Sequence, residues 1–143
     1  MHFAVEVDID RAPEDVFALL TAIDRLPEWQ DSAASASADS PLGTGTRIRE
    51  TRRLMGREFH VVHEVTAYDP PHRFDVESVE GPMPLTIRHT LEPSGGGTHL
   101  EVVVDAQPKG MLRFAAGGIA KTGKAELRRD FEHLKELLEG RRT

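Results

Sequence analysis

The chain has 143 residues, which is the size of one domain, and we predict a single domain over 1–143. Its 18 Lys and Arg residues against 24 Asp and Glu residues give a net charge of −6, which disfavours nucleic acid and anionic membranes as main partners. The absence of cysteine excludes disulfides, thiolate metal ligands and a catalytic thiol. No apolar run approaches the roughly 20 residues that span a bilayer, so we expect a cytoplasmic protein without integral membrane association.

The first forty residues predict a strand, two short helices and a weak second strand. Apolar and polar residues alternate over 2–10, as in a half-buried strand, and this start lacks the apolar core of a signal peptide. Pro13 suits the first turn of a helix that runs to about residue 22, and Asp24 is a candidate cap for a second short helix. Residues 31–40 are low in complexity, and we predict an edge strand there because long linkers are uncommon in compact domains.

Residues 46–106 predict five further strands in an antiparallel meander. Apolar residues occupy alternate positions, which specifies one face of the sheet as interior. Short turns are predicted to be centred on Met55-Gly56, Pro70-Pro71, Pro82-Met83 and Gly95-Gly96, where turn-forming residues fall. Because the alternation and the turn residues agree, together they predict which residues face each other on neighbouring strands.

The C-terminal region predicts one long helix. Apolar residues recur at helical spacing from Leu112 to Leu138, and Gly140 follows them. A continuous helix over 112–139 would be about 42 Å long, whereas a domain of this size has a radius of gyration of about 14–15 Å. The helix must therefore lie across the concave face of the sheet, although Gly117-Gly118 could bend it or delay its start.

The order of these elements resembles the START-like helix-grip (SRPBCC) superfamily. The opening segment VEVDIDRAPEDVFALLTAIDRLPEWQ is similar to the polyketide cyclase/dehydrase and lipid-transport branch, as are the later segments GTGTRIRETR, EVTAYDPPHRF, TLEPSGGGTHLEVVV and DFEHLKELLEG. This resemblance spans essentially the whole chain. It implies an α+β helix-grip fold, in which a curved antiparallel sheet of six to seven strands wraps around a long C-terminal helix, with two short helices after the first strand.

The resemblance leaves the function open, because this superfamily includes lipid carriers, hormone and quinone binders, ring cyclases, ring-hydroxylating oxygenase domains and chaperone activators. The iron-ligand pattern of the oxygenases is not evident in the sequence, which argues against that function. The matching motifs are mainly structural, and Trp29 among them is interpreted as a packing anchor, with a gate at a pocket mouth as the alternative.

Four polar residues interrupt the apolar rows of the predicted interior: Glu50, His63, Ser78 and His89. Polar groups are costly to bury without partners, so this set predicts internal hydrogen bonds or a hydrated cavity. The expected pairing places His63 opposite Ser78 and Glu50 diagonal to His63. It places Ser78 opposite Ile87 and diagonal to His89. All four would then form one wall of a pocket between the sheet and the long helix.

The candidate catalytic residues are His63, His89 and Glu50, because imidazole groups can transfer protons near neutral pH. The favoured interpretation is simpler: buried histidines that hydrogen-bond to Ser78, Glu50 or water, or that only contact a ligand. Two histidines and one carboxylate are also a known iron ligand set. However, the two histidines would lie on non-adjacent strands roughly 9–10 Å apart, so we predict no metal site.

Arginines concentrate around the first predicted hairpin, at positions 47, 49, 52, 53 and 57. Arg47, Arg49 and Arg53 share the outward face. A solvated face is the favoured interpretation, and an acidic partner is the weaker one.

The leading functional hypothesis is that the chain binds a hydrophobic small molecule, such as a lipid, polyketide or quinone-like compound, without a cofactor. One alternative is a cofactor-independent polyketide cyclase or dehydratase with His63 or His89 as acid or base. Another is a protein-interaction or chaperone-activator module whose cavity is filled by side chains. The predicted ligand contacts are Trp29, Ile48, Glu50, Phe59, Val61, His63, Phe74, Val76, Ser78, Ile87, His89, Leu112, Ala116 and Ile119.

Overall fold

The computed structural model describes residues 1–54, 56–81, 83–108 and 110–140, and within these ranges it leaves out the side chains of residues 111, 112, 115 and 116. The elements of these ranges follow the chain in this order: β1 (His2–Ile9), α1 (Pro13–Leu20), a first 3-10 helix (Ile23–Glu28), β2 (Ala33–Ala38), β3 (Arg47–Leu54), β4 (Arg57–Asp69), β5 (Arg73–Glu80), β6 (Leu85–Ser94), β7 (Gly97–Ala106), a second 3-10 helix (Gly110–Ala115) and α2 (Ala116–Glu139).

The strands of the described ranges form one antiparallel sheet in the order β1-β7-β6-β5-β4-β3-β2. Strands β2 to β7 pair with their neighbours in the chain. Strand β1 pairs with β7 and forms the edge of the sheet opposite β2. The sheet curls, and α2 packs against β1 and the interior face, where Phe131, Leu134 and Leu138 join the buried core. This arrangement confirms the predicted helix-grip fold, and the low-complexity segment does form an edge strand.

The helices begin and end at positions that differ in part from those predicted. The first 3-10 helix begins at Ile23, with Ala22 as its N-cap and no side-chain cap, so the prediction that Asp24 caps it was wrong. Asp24 instead lies in the first turn, where a negative charge is favourable. The predicted continuous helix from residue 112 was also wrong at its start, because α2 begins at Ala116 after a 3-10 turn. Gly110 opens that turn with a φ of 60°, a conformation that favours glycine.

The pairing of β3, β4 and β5 agrees with the prediction, although by an unexpected route. Glu50 faces Val61, and His63 faces Ser78, as expected. The loop between β4 and β5 contains three residues rather than two, because Asp69 pairs with Arg73. An irregularity between residues 65 and 67 of β4 adds one residue and so restores the predicted pairing further along the strand.

The pairing of β5 with β6 differs from the prediction by two residues. Val76 faces Ile87 and Phe74 faces His89, so the prediction that Ser78 faces Ile87 was wrong. These pairs place the centre of the turn one residue earlier than predicted, next to Gly81, whose φ is 146°. A shift of two residues keeps every side chain on its original face, so the same residues remain interior while their neighbours change.

No helix among the described residues is both long and apolar enough to cross a membrane.

Candidate functional site

A cavity of about 280 Å³ lies between the interior face of the sheet and α2. Most of the predicted ligand contacts line it: Trp29, Ile48, Glu50, Phe59, Val61, His63, Phe74, Val76, Ser78, Ile87 and His89. The helix faces the cavity from Gly123 to Phe131, so the half-buried Ile119 lies one turn before the lining segment. The side chains of Leu112 and Ala116 lie outside the described residues. That any of these residues contacts a ligand remains a prediction.

The cavity is also lined by polar residues that the sequence patterns did not assign to it: Gln30, Ser32, Arg52, Glu80, Glu126 and Asp130. Two of them carried a usable signal. Arg52 has the same parity on β3 as Ile48 and therefore points inward, unlike Arg47, Arg49 and Arg53 of the outward face. Asp130 lies in the apolar stripe of α2, three residues after Leu127 and four before Leu134, where an acidic residue is unusual.

A hydrogen-bonded network, here called the polar corner, consists of Gln30, Ser32, Glu50, Arg52 and His63. Arg52 donates from Nε to Glu50 Oε1 at 2.8 Å, and its two other nitrogens donate to Ser32 Oγ at 2.9 Å and Gln30 Oε1 at 2.5 Å. His63 Nδ1 lies 3.0 Å from Glu50 Oε2. The network pairs the carboxylate on both of its oxygens.

The electrostatics of the polar corner keep Glu50 ionised. Burial alone would raise the pKa of Glu50, but the hydrogen bond from His63 and the charge of Arg52 outweigh it and lower the pKa to about 2. An ionised carboxylate can only accept, so His63 Nδ1 carries the hydrogen of this bond.

His89 lies in a different environment, among aromatic rings. Its ring stacks on Phe74 with centroids 5.5 Å apart and lies 6.0 Å from the ring of Phe131. Nδ1 is 2.7 Å from the Phe74 carbonyl oxygen, which can only accept, so Nδ1 carries the hydrogen. Burial lowers the pKa of His89 to about 4, against the opposing effects of that carbonyl and of Asp75. His89 is therefore neutral at pH 7, with Nε2 as an acceptor.

Ser78 does not join either histidine. Its Oγ accepts a hydrogen bond from the Leu85 backbone N–H at 2.8 Å, across the turn between β5 and β6. The predicted wall of four interacting polar residues therefore divides: Glu50 contacts His63, while Ser78 and His89 each bond to backbone. All four still line the cavity.

Trp29 is almost fully buried beside α2. Its ring lies 5.0 Å from that of Phe131, and its indole Nε1 has no hydrogen-bond partner among the described residues. This position, at the end of the first 3-10 helix, fits the interpretation of Trp29 as a packing anchor rather than as a gate at the cavity mouth.

One group of described residues has metal-ligand spacing: the ligand atoms of Asp31, Asp130 and His133 lie within 4.8 Å of one another. Asp130 Oδ1 accepts a hydrogen bond from the Asp31 N–H at 3.2 Å, and His133 Nδ1 lies 3.7 Å from the Asp31 carboxylate. The iron-type set considered from sequence is not assembled, because His63 bonds to Glu50 whereas His89 bonds to backbone.

Asp130 has a raised pKa. Burial is the main cause; the Asp31 N–H opposes it, the charges of Glu126 and Asp31 reinforce it, and Arg52 again opposes it, giving a pKa of about 6. Asp130 is thus a buried carboxylate on the cavity wall that titrates close to neutral pH.

Comparison with known proteins agrees with this architecture. Residues 1–139 match the model of a family described as polyketide cyclase / dehydrase and lipid transport. No curated protein matches the chain.

Solved structures share the fold over nearly their whole length. TTHA0849 from Thermus thermophilus is 18% identical with a TM-score of 0.86, and the match covers 100% of both chains. DR_A0006 from Deinococcus radiodurans is 19% identical with a TM-score of 0.73, covering 98% of both chains. A START superfamily protein from Mycobacterium smegmatis is 16% identical with a TM-score of 0.74, covering 98% of this chain and 95% of that one. At these identities the similarity concerns the fold alone.

Proposed function

The chain belongs to the polyketide cyclase/dehydrase and lipid-transport family, and from this we propose that it binds a hydrophobic small molecule, such as a lipid, polyketide or quinone-like compound. The observation that carries the proposal is the cavity of about 280 Å³ between the sheet and α2. Small-ligand sites are typically apolar hollows with a few polar groups that orient the ligand.

The walls of this cavity have that composition. Aliphatic and aromatic side chains such as Val76, Ile87 and Phe131 supply apolar surface from both the sheet and the helix. Each Å² of apolar ligand surface removed from water favours binding by about 25 cal/mol. The polar corner and His89 supply hydrogen-bonding groups at two separate places on the wall, which would fix the orientation of a bound molecule.

A cavity-filling substitution tests this proposal. Ile87→Phe adds a ring to a half-buried lining position on β6, whereas Val79→Phe makes a comparable addition at an exposed position on β5. We expect Ile87→Phe to weaken binding of a naphthalene probe by about tenfold or more, measured by titration calorimetry, because the ring occupies ligand volume. The proposal fails if Ile87→Phe binds as tightly as Val79→Phe, or if wild-type protein binds no hydrophobic probe and no ligand accompanies it in native mass spectrometry.

A second candidate function is a cofactor-independent cyclase or dehydratase. The observation that favours it is the contact between His63 and the ionised Glu50, since a carboxylate that orients an imidazole leaves Nε2 available as a general base. His89, neutral and on the same wall, is the other candidate base. If a polyketide is converted, His63→Gln or His89→Gln should reduce the rate by about a hundredfold, and unchanged rates in both variants would exclude this mechanism.

The interaction-module alternative requires a cavity filled by side chains. The described side chains leave about 280 Å³ open between the sheet and α2, which supports ligand binding over this alternative. A cytoplasmic location remains a prediction.

A further inference from the structure

The charged side chains that line the cavity are predominantly acidic. Among the described lining residues, four carboxylates (Glu50, Glu80, Glu126 and Asp130) stand against one guanidinium, Arg52. The polar corner already engages this guanidinium, since each of its three nitrogens donates a hydrogen bond, to Glu50, Ser32 and Gln30. An anionic ligand would therefore find no lining cation outside the polar corner among the described residues.

Asp130 is a buried carboxylate of the cavity wall that is not paired with Arg52. It is 6% exposed, and the described residues give it one hydrogen bond, from the Asp31 N–H, and no ion pair. Glu126 lies one turn earlier on the same helix and also lines the cavity. A buried carboxylate without a counter-ion is unfavourable, and a cation that arrives with a ligand would relieve that cost.

The groups that face Asp130 come from three elements. Glu126 and His133 lie on α2 itself, and Arg52 lies on β3. Asp31 follows the first 3-10 helix, and its carboxylate lies 3.6 Å from Arg129 and 3.7 Å from His133, so it already has a cationic neighbour in Arg129. The charges on Glu126 and Asp31 raise the pKa of Asp130, while the Asp31 N–H and the charge of Arg52 lower it, and burial leaves the pKa raised overall. The local field therefore favours a cation beside Asp130.

Two aromatic rings of the cavity wall, those of Phe131 and Trp29, also suit a cation. Phe131 is the neighbour of Asp130 on α2, lines the cavity and lies 5.0 Å from the ring of Trp29. Aromatic faces attract ammonium groups, most strongly where water is excluded.

We propose that the cavity takes a hydrophobic molecule that carries an amine, with the ammonium group at Asp130 and Glu126 and the apolar part against Phe131 and the sheet. This proposal rests on the proposed function, because it assigns the ligand class of the same cavity. The ammonium group would donate charge-assisted hydrogen bonds to Asp130, which are about twice as strong as neutral ones.

Three probes with one ring system separate the charge from the hydrophobic contribution: 2-(1-naphthyl)ethylamine, 2-(1-naphthyl)ethanol and 1-naphthylacetate. In titration calorimetry at about pH 7.5, where an alkyl amine is protonated, we expect the amine to bind about tenfold more tightly than the alcohol. The acetate should bind most weakly. Binding of the acetate as tight as that of the amine overturns this proposal and leaves the proposed function intact, whereas failure of all three probes to bind contradicts both.

Variants of α2 locate the effect. Asp130→Asn should abolish the preference for the amine over the alcohol, measured as the ratio of their two affinities in that variant. The control Glu132→Gln removes one charge from an exposed position on the same helix and should keep the preference. Between about pH 7.5 and about pH 5, amine affinity should fall in the wild type as Asp130 becomes protonated, and Asp130→Asn should show no such fall. A preference that persists in Asp130→Asn overturns the assignment of Asp130.

Discussion

His63 and His89 lie on the same face of one sheet and line the same cavity, yet their surroundings are opposite in kind. His63 contacts an ionised carboxylate that a guanidinium also pairs. His89 lies between aromatic rings and gives its N–H to a backbone carbonyl. The polar corner thus stabilises charge by pairing it, whereas the aromatic region, which consists of His89, Phe74 and Phe131, excludes charge by burial. The side chains on the neighbouring strands therefore decide what a buried histidine can do, more than the residue type or the face of the sheet on which it lies.

The largest effect is expected when the pairing in the polar corner is broken. Arg52→Met removes the guanidinium and leaves the Glu50 carboxylate buried with only His63 beside it, so we expect the free energy of unfolding to fall by about 3–5 kcal/mol. Denaturant titration measures this loss. The control Arg53→Met, also on β3, breaks an exposed pair with Glu58 of β4 and should cost less than about 1 kcal/mol. Equal losses in the two variants would show that the polar corner is no better paired than the surface.

The aromatic region is tested by the dependence of stability on pH. The ordinary His pKa of 6.5 applies in the unfolded state, while the folded-state pKa of His89 is about 4. Between these values the unfolded chain binds a proton that the folded chain does not, so stability falls as the pH is lowered, by about 3 kcal/mol in total.

Asp130 changes the stability in the opposite direction over an overlapping pH range. Its pKa rises from 3.8 to about 6 on folding, so its contribution to stability is lost as the pH is raised through that range. The His89 effect is therefore best measured in the Asp130→Asn background, by denaturant titration from about pH 7 to about pH 4. Adding His89→Gln should remove most of the slope there, and an unchanged slope would show that His89 does not cause it.

A smaller effect, of opposite sign, is expected from Asp130→Asn alone. The substitution removes a buried carboxylate charge and keeps an oxygen that can accept from the Asp31 N–H. At about pH 8 the free energy of unfolding should rise by about 2 kcal/mol, and the gain should shrink as the pH is lowered to about 4. Glu132→Gln, on the exposed face of α2, provides the comparison and should change stability by less than about 0.5 kcal/mol. A loss of stability in Asp130→Asn at high pH would mean that the carboxylate is well paired.

The smallest effect concerns Ser78, which lies between the two regions without joining either. Ser78→Ala removes the acceptor for the Leu85 N–H and should cost about 1 kcal/mol in denaturant titration. Because Ser78 contacts neither histidine, the pH dependence of stability should not change. A changed pH dependence would restore the original expectation that Ser78 hydrogen-bonds to a histidine.

The fold was largely predictable because its signals are periodic. Alternation with a period of two identified the interior face of the meander strands except at the end of β4, where the irregularity brings Tyr68 onto the core. A helical stripe identified α2. Even the pairing of His63 with Ser78 was correct, although a longer loop and an irregularity in β4 cancel to produce it. The pairing of β5 with β6 was not predictable in this way, since a shift of two residues leaves the alternation unchanged.

The site was only partly predictable because its chemistry depends on contacts between distant elements. His89 was assigned to a polar wall, but the shift between β5 and β6 places it opposite Phe74. Arg52 was named only as part of an arginine-rich hairpin and given no role in the cavity, although its parity on β3 already pointed inward. Asp130 interrupts an apolar stripe, a signal that is visible in the sequence but acquires meaning only when α2 lies over the cavity.

The single tryptophan of the chain, Trp29, lies in the cavity wall and touches the ring of Phe131. Its indole emission therefore comes from one known position, without background from other tryptophans. A molecule that enters the cavity would change the polarity around this ring or quench it directly. The protein thus carries its own optical reporter of occupancy, which allows unlabelled compounds without emission of their own to be compared by titration in solution.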